Sequence, residues 1–234
     1  MKKLMLSIAV AMSLGNAAMA GGDIAPVTAA PTDTWSGLYL GVQTGYSWGD
    51  AHQEMYNRTG NHAATARYDL DGINGGLYAG YNWILGGQWL LGIEGSWSLL
   101  DVDDSAHPRP DNGPIRKSET MELTQRWDAS ACLRLGRVMG DYLPYLTGGV
   151  AWAGMNIKSH ESGVLAADDD ETMTGWTLGL GLEMAIEDDL HLRIQYRYTD
   201  YGETTFHPLH NNGGEHSDIR YDAHLVSIGV SYRF

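Results

Sequence analysis

Paired carboxylates are the first residues in this sequence with types and spacing suited to chemistry. Glu94, Glu122, Asp128 and Glu183 fall on the polar parity of alternating segments, together with Arg126, Arg134, Arg193 and Arg197. Two carboxylates sharing a pocket can divide the roles of acid and base. Four acids facing four arginines point instead to a neutralised narrow interior, where an unpaired charge is costly. Every base placed in a strand is Arg and none is Lys, which suits planar, multiply bonded pairing. Glu183 and Arg193 flank a three-residue turn at 187–189 symmetrically, so a direct cross-strand ion pair is expected. Glu94 and Arg134 lie at a similar height and would complete a four-charge layer that blocks water.

Histidine is the second candidate. Seven of the nine lie in segments that read as loops: His52, His62, His107, His160, His207, His210 and His216. His207, His210 and His216 share one loop, but their spacing matches no tight metal motif. They read as solvated loop histidines, with capture of hemin or a divalent metal as the second reading. The run Asp168-Asp169-Asp170-Glu171 lacks the glycine and spacing of a calcium-binding EF-hand loop and reads as a solvated anionic tip. Cys132 on the polar parity reads as a small filler. His224 falls on the oily parity near one rim, where a Ser/His/acid group could act on lipid, but no serine of that parity matches its height.

These residues are positioned by eight segments of period two, at roughly 38–48, 73–84, 89–100, 122–137, 144–157, 174–186, 190–199 and 221–234. In each, one parity is oily and the other is glycine or polar. Trp176, Leu178, Leu180, Leu182, Met184 and Ile186, for example, oppose Thr177, Gly179, Gly181 and Glu183. Alternation alone also fits a soluble sandwich or barrel. In those folds the outward parity would be charged. Here the oily parity carries almost no charge and ends in Trp and Tyr, as on a barrel that faces acyl chains. The links at 85–88, 138–143 and 187–189 are short, whereas those at 49–72, 101–121, 158–173 and 200–220 are long. Short periplasmic turns and long external loops have this rhythm, which places both termini in the periplasm. Residues 72–93 are uncharged but hold seven glycines, so they read as strand, turn, strand and not as a membrane helix.

Composition agrees. Eight Trp and thirteen Tyr against two Phe suit an oil–water boundary. A net charge of −14 argues against nucleic acid as a partner, and one cysteine excludes an internal disulfide framework. Lys2 and Lys3, the apolar run from Leu4 to Val10, and Ala18-Met19-Ala20 read as a secretory signal peptide cleaved after Ala20. Residues 21–34, rich in Gly, Ala, Pro and Thr, read as a flexible periplasmic lead-in to a barrel spanning 35–234. The last strand ends Val226, Ile228, Val230, Tyr232, Phe234. Such an oily strand closed by a terminal Phe reads as the signal taken by the barrel-assembly machinery.

The chain resembles a family of small alphaproteobacterial outer membrane proteins. Trp35-Ser36-Gly37-Leu38-Tyr39-Leu40-Gly41 and Gly45-Tyr46-Ser47-Trp48-Gly49 match its first strand. Gly80-Tyr81-Asn82-Trp83, Gly92-Ile93-Glu94-Gly95, Arg134-Leu135-Gly136 and Pro144 to Ala151 continue the match. It resumes at Gly175 to Glu183, Arg197 to Gly202 and the terminal Tyr232-Arg233-Phe234, covering nearly all of the barrel but not the loops. The segments and their links read as an eight-stranded antiparallel transmembrane β-barrel of the OmpA/OmpX type, and the resemblance implies porin-like or hemin-binding roles. Three functions therefore stand: a non-enzymatic envelope and surface protein without cofactor, a small-solute pore, and a hemin-binding surface protein. Membrane lipids and lipopolysaccharide are the expected surroundings. The sequence sets no oligomeric state.

Overall fold

Period-two patterning needs each strand to bury one parity in the lumen and to turn the other outward. The structure, a computed structural model, describes residues 32–56, 61–106, 109–110, 119–161, 164–206 and 216–234. The expected signal peptide, with its cleavage site at Ala20, lies outside the described residues. Eight long strands follow a short 3₁₀ turn at Thr32–Trp35. They are β1 (Gly37–Tyr56), β2 (His62–Leu85), β3 (Trp89–Ala106) and β4 (Glu119–Arg137). They continue with β5 (Tyr142–Glu161), β6 (Val164–Ala185), β7 (Leu190–Phe206) and β8 (His216–Arg233). Each pairs antiparallel with the next, and β1 also pairs with β8, so the sheet closes. A two-residue strand, Arg109–Pro110, pairs with Ala64 and Thr65 of β2.

The outer surface carries the apolar band. Leu38, Leu40 and Val42 of β1, Leu178, Leu180 and Leu182 of β6, and Ile228 and Val230 of β8 are all exposed. Tyr81, Trp83, Trp89, Tyr142 and Tyr232 border it at the rim holding the short turns. Tyr46, Trp48, Trp176 and Tyr198 border it at the other, where Trp176 and Tyr198 meet edge to face at 5.5 Å. Two belts of amphipathic rings around an oily band are what a bilayer requires.

The strands do not stop at the second belt. They run 17 to 24 residues, whereas a tilted strand of about 9–11 crosses the hydrocarbon. Most of what reads as long loops is therefore strand, and this corrects the expected loop boundaries. The physical cause is a change in polarity without a change in period. Inside, Ala66, Tyr68 and Leu70 of β2, Met173 of β6, Tyr201 of β7, and Ile219, Tyr221 and Ala223 of β8 form one apolar core with Ala51, Leu123, Ala151, Ala153 and Met155. Outside, the same stretches present Asp50, Arg67, Asp69, Asp71, Asp218, Arg220 and Asp222. Beyond the membrane the barrel adopts the polarity of a soluble one: oil within, charge without.

Candidate functional site in the barrel lumen

The lumen is occupied at successive heights. At the rim of the short turns, Trp35 is fully buried against Leu90, Val138 and Leu143, and its indole nitrogen donates to the Gly140 carbonyl at 3.2 Å. The His191 ring lies 4.8 Å away. Arg233 hydrogen-bonds the Trp35 carbonyl, with its guanidinium 5.6 Å from the indole centroid. Trp35 thus corks this end of the lumen, and the 3₁₀ turn at Thr32–Trp35 aims it inward.

Above the cork lies a charged layer. Arg134 donates to Tyr39 Oη at 2.6 Å, to Glu94 Oε2 at 3.1 Å and to Glu183 Oε1 at 2.6 Å. Arg193 donates to Glu94 Oε2 at 2.8 Å and to Gln43 Oε1 at 2.6 Å. Tyr39 in turn donates to Glu94 at 2.8 Å. Arg233 stands 3.7 Å from Glu183 Oε2 and adds a third cation. Three guanidiniums thus share two carboxylates, and aromatic faces take up the excess. Arg193 lies 3.3 Å over Tyr78 and Arg134 lies 4.0 Å over Tyr145. Facing glycines make room for these rings. A Cβ on Gly41 would sit 2.3 Å from Tyr78, and one on Gly181 would sit 2.4 Å from Tyr145.

Higher still, Arg197 pairs with Asp128 and donates to Ser130 at 3.1 Å and Ser96 at 3.2 Å. A cavity of about 10 Å³ beside them, lined by Ser47, Asn74, Asp128, Arg197 and Thr199, has room for about one water. The apolar core then closes the lumen. Tyr201 and Tyr221 stack in it at 5.3 Å, and Tyr221 donates to Gln125 at 2.8 Å.

The sequence-predicted residues divide. Glu94, Arg134, Glu183 and Arg193 meet in one layer, and Asp128 and Arg197 meet in another. Glu183 and Arg193 are direct cross-strand partners, as the turn arithmetic requires. Their charges nevertheless engage other partners. Arginines this long span the narrow lumen to reach the far wall, so the expected direct pair is corrected to a cross-lumen network. Arg126 is not a lumen residue. A register shift between Gln125 and Trp127 changes the parity of β4, leaving Gln125 and Asp128 inside and Arg126 exposed. The Glu122 side chain, His207 and His210 lie outside the described residues. His216 opens β8 opposite Tyr56, and its side chain is likewise outside them. Cys132 is buried and unpaired. Among the described residues, no group of His, Cys, Asp or Glu is arranged to hold a metal ion.

His224 faces outward in the aromatic belt, stacked on Trp48 at 5.5 Å and hydrogen-bonded through Nδ1 to Tyr196 Oη at 2.7 Å. The adjacent Ser47 points into the lumen and donates to the His224 carbonyl, so it does not form a nucleophilic group with that ring. Tyr232 and Phe234 are exposed and meet edge to face at 5.1 Å, while the Phe234 amide donates to the Leu38 carbonyl across the β1–β8 seam. Sequence reading passed over Trp35, Arg233 and the lumen tyrosines. Parity alone reveals Arg233, since Tyr232 and Phe234 face lipid; nothing local reveals the Trp35 cork.

Residues 7–234 match the model of the outer membrane protein beta-barrel domain family. The chain belongs to that family. It is 32% identical over 219 residues to the 31 kDa outer-membrane immunogenic protein of Brucella melitensis biotype 1, covering 88% of each chain. It is 27% identical over 204 residues to the 22 kDa outer membrane protein of Rhizobium leguminosarum bv. viciae, covering 87% of this chain and 80% of that one. Among solved structures it resembles the outer membrane protein OprG from Pseudomonas aeruginosa, with a TM-score of 0.55 and 14% identity over 85% of this chain and 97% of that one. At that identity only the fold is shared. As in its relatives, the outer membrane is where this barrel resides. Its short-turn rim is periplasmic and its charged extension extracellular.

Proposed function

We propose that this outer-membrane barrel is a non-enzymatic envelope and surface protein, with a closed lumen and an extracellular extension that meets the cell's surroundings. The observation that carries this reading is the sequence of fillings along the lumen: the Trp35 cork, the Arg134–Glu94–Arg193–Glu183 layer, the Arg197–Asp128 pair and the apolar core. An eight-stranded barrel is only wide enough for its own side chains, and here they fill it. A charged layer cross-linked from wall to wall by Arg134 and Arg193 keeps structure and excludes a water column. Lipopolysaccharide and outer-membrane lipids would surround the band, and the barrel-assembly machinery would read the strand ending in Tyr232 and Phe234. The test is planar-bilayer conductance of the purified monomer. No steady conductance is expected, and a large, stable conductance would overturn the closed lumen in favour of a pore.

A further inference from the structure

Beyond the second aromatic belt the barrel wall is not continuous. Pairing of β6 with β7 begins at Ala185↔His191 and ends at Trp176↔Asp200. Both strands go on. β6 stays paired with β5 as far as Glu161↔Val164, and β7 stays paired with β8 as far as Phe206↔Ser217. Each is thus held on its far side, and among the described residues nothing pairs with the edges they turn toward each other. The parting begins at a built feature. Gly202 sits at φ +67°, its amide donates to Asp200 Oδ1 at 2.8 Å, and the β7–β8 register shifts between Asp200 and Glu203. A similar break above Asp71↔Asp103, between β2 and β3, is partly covered by Arg109–Pro110 lying along β2.

The two free edges carry charge of one sign. β6 brings Asp168, Asp169, Asp170 and Glu171, and β7 brings Asp200 and Glu203. Neither Val164–Thr177 nor Tyr198–Phe206 contains a Lys or Arg. Asp170 and Glu171 are exposed. The neighbouring cations sit on the strands behind these edges: Lys158 of β5 is the register partner of Asp168, and Arg220 of β8 is 3.1 Å from Glu203. A free strand edge offers a row of unmet backbone donors and acceptors, and it pairs with any extended chain that reaches it unless charge forbids. A second copy would bring Asp168–Glu171 against acids of its own kind, and like charges facing across strands repel. An extended segment rich in Lys or Arg meets both demands: main-chain groups for the edge and cations for the carboxylates.

We propose that the β6 edge from Val164 to Thr174 is an extracellular docking strand for an extended cationic peptide segment of another protein, which adds to the sheet there. The inference rests on the surface role proposed above, and conductance tests the closed lumen separately. The probe is a fluorescent alternating Lys-Val octapeptide, added to the full barrel in detergent micelles and read by anisotropy. Saturable binding is expected, accompanied by slower amide hydrogen exchange in Val164–Thr174. An alternating Lys-Pro octapeptide has the same charge but lacks half the amide donors, and it should bind about tenfold or more weakly. Neutralising the edge with Asp168→Asn, Asp169→Asn, Asp170→Asn and Glu171→Gln together should cost about tenfold in Lys-Val binding while the barrel remains heat-modifiable. Equal binding of the Lys-Val and Lys-Pro peptides would reduce the effect to charge attraction and overturn the proposal. So would absent binding, or protection appearing elsewhere than on β6.

Discussion

Individual lumen residues hold unequal positions in the network. Arg134 touches Tyr39, Glu94 and Glu183, more partners than any direct strand neighbour could supply. Replacing it with Met leaves two buried carboxylates with fewer cations, and breaking such a buried group costs about 3–5 kcal/mol. The expected outcome is a lower unfolding temperature on heat-modifiability gels, with the barrel still inserted. Arg126, being exposed, should tolerate the same change with little effect. Outside the bilayer, Asp222 lies directly between Asp50 and Asp200 on the neighbouring strands. Partial burial raises its pKa first, and Asp50 and Asp200 raise it further against the opposing effect of His224. With a folded-state pKa above the unfolded one, this carboxyl destabilises the extension when ionised. The cost is present at neutral pH and is relieved as pH falls through the raised value. Asp222→Asn should therefore slow hydrogen exchange in β8 at neutral pH and flatten its dependence on pH. Exchange that quickens in the variant would contradict the sign.

Among the elements, the extracellular half of each strand depends on the inward apolar parity, because no lipid supports it from outside. Tyr221 is fully buried in that core and stacked on Tyr201. Tyr221→Ser should raise amide exchange above the aromatic belt and leave the membrane-spanning half protected; equal loss in both halves would show a single cooperative unit instead. The Thr32–Trp35 turn and the last strand are joined through Arg233 and the Trp35 carbonyl. Deleting Phe234 removes the amide that bonds Leu38 and a ring from the lower belt. Less folded, heat-modifiable protein in the outer membrane is expected, and unchanged abundance would remove Phe234 from assembly.

At the scale of the molecule, the layered lumen predicts a leak that grows with the number of fillings lost. Glu183→Ala with Arg193→Ala opens the charged layer but leaves the Trp35 cork, so a small or flickering conductance is expected. Adding Trp35→Ala should enlarge it, and a silent triple variant would show that the apolar core alone seals the barrel. Sequence by itself determined the strand number, the sidedness, the terminal Phe and the parity of Glu94, Asp128, Arg134, Glu183, Arg193 and Arg197. A period of two is local, and a lipid-facing surface writes it without reference to anything distant. It misplaced Arg126, because a one-residue bulge inverts parity without altering composition. It also ended the strands too early, at the height where Ala66, Tyr68 and Leu70 move the oily parity indoors while Arg67 and Asp69 take the outside. That exchange looks like the loss of a pattern when it is only a change of solvent. Which arginine meets which acid was decided by the tertiary structure alone. Partners across a lumen are fixed by barrel closure and side-chain reach, and neither is written in the spacing along one strand.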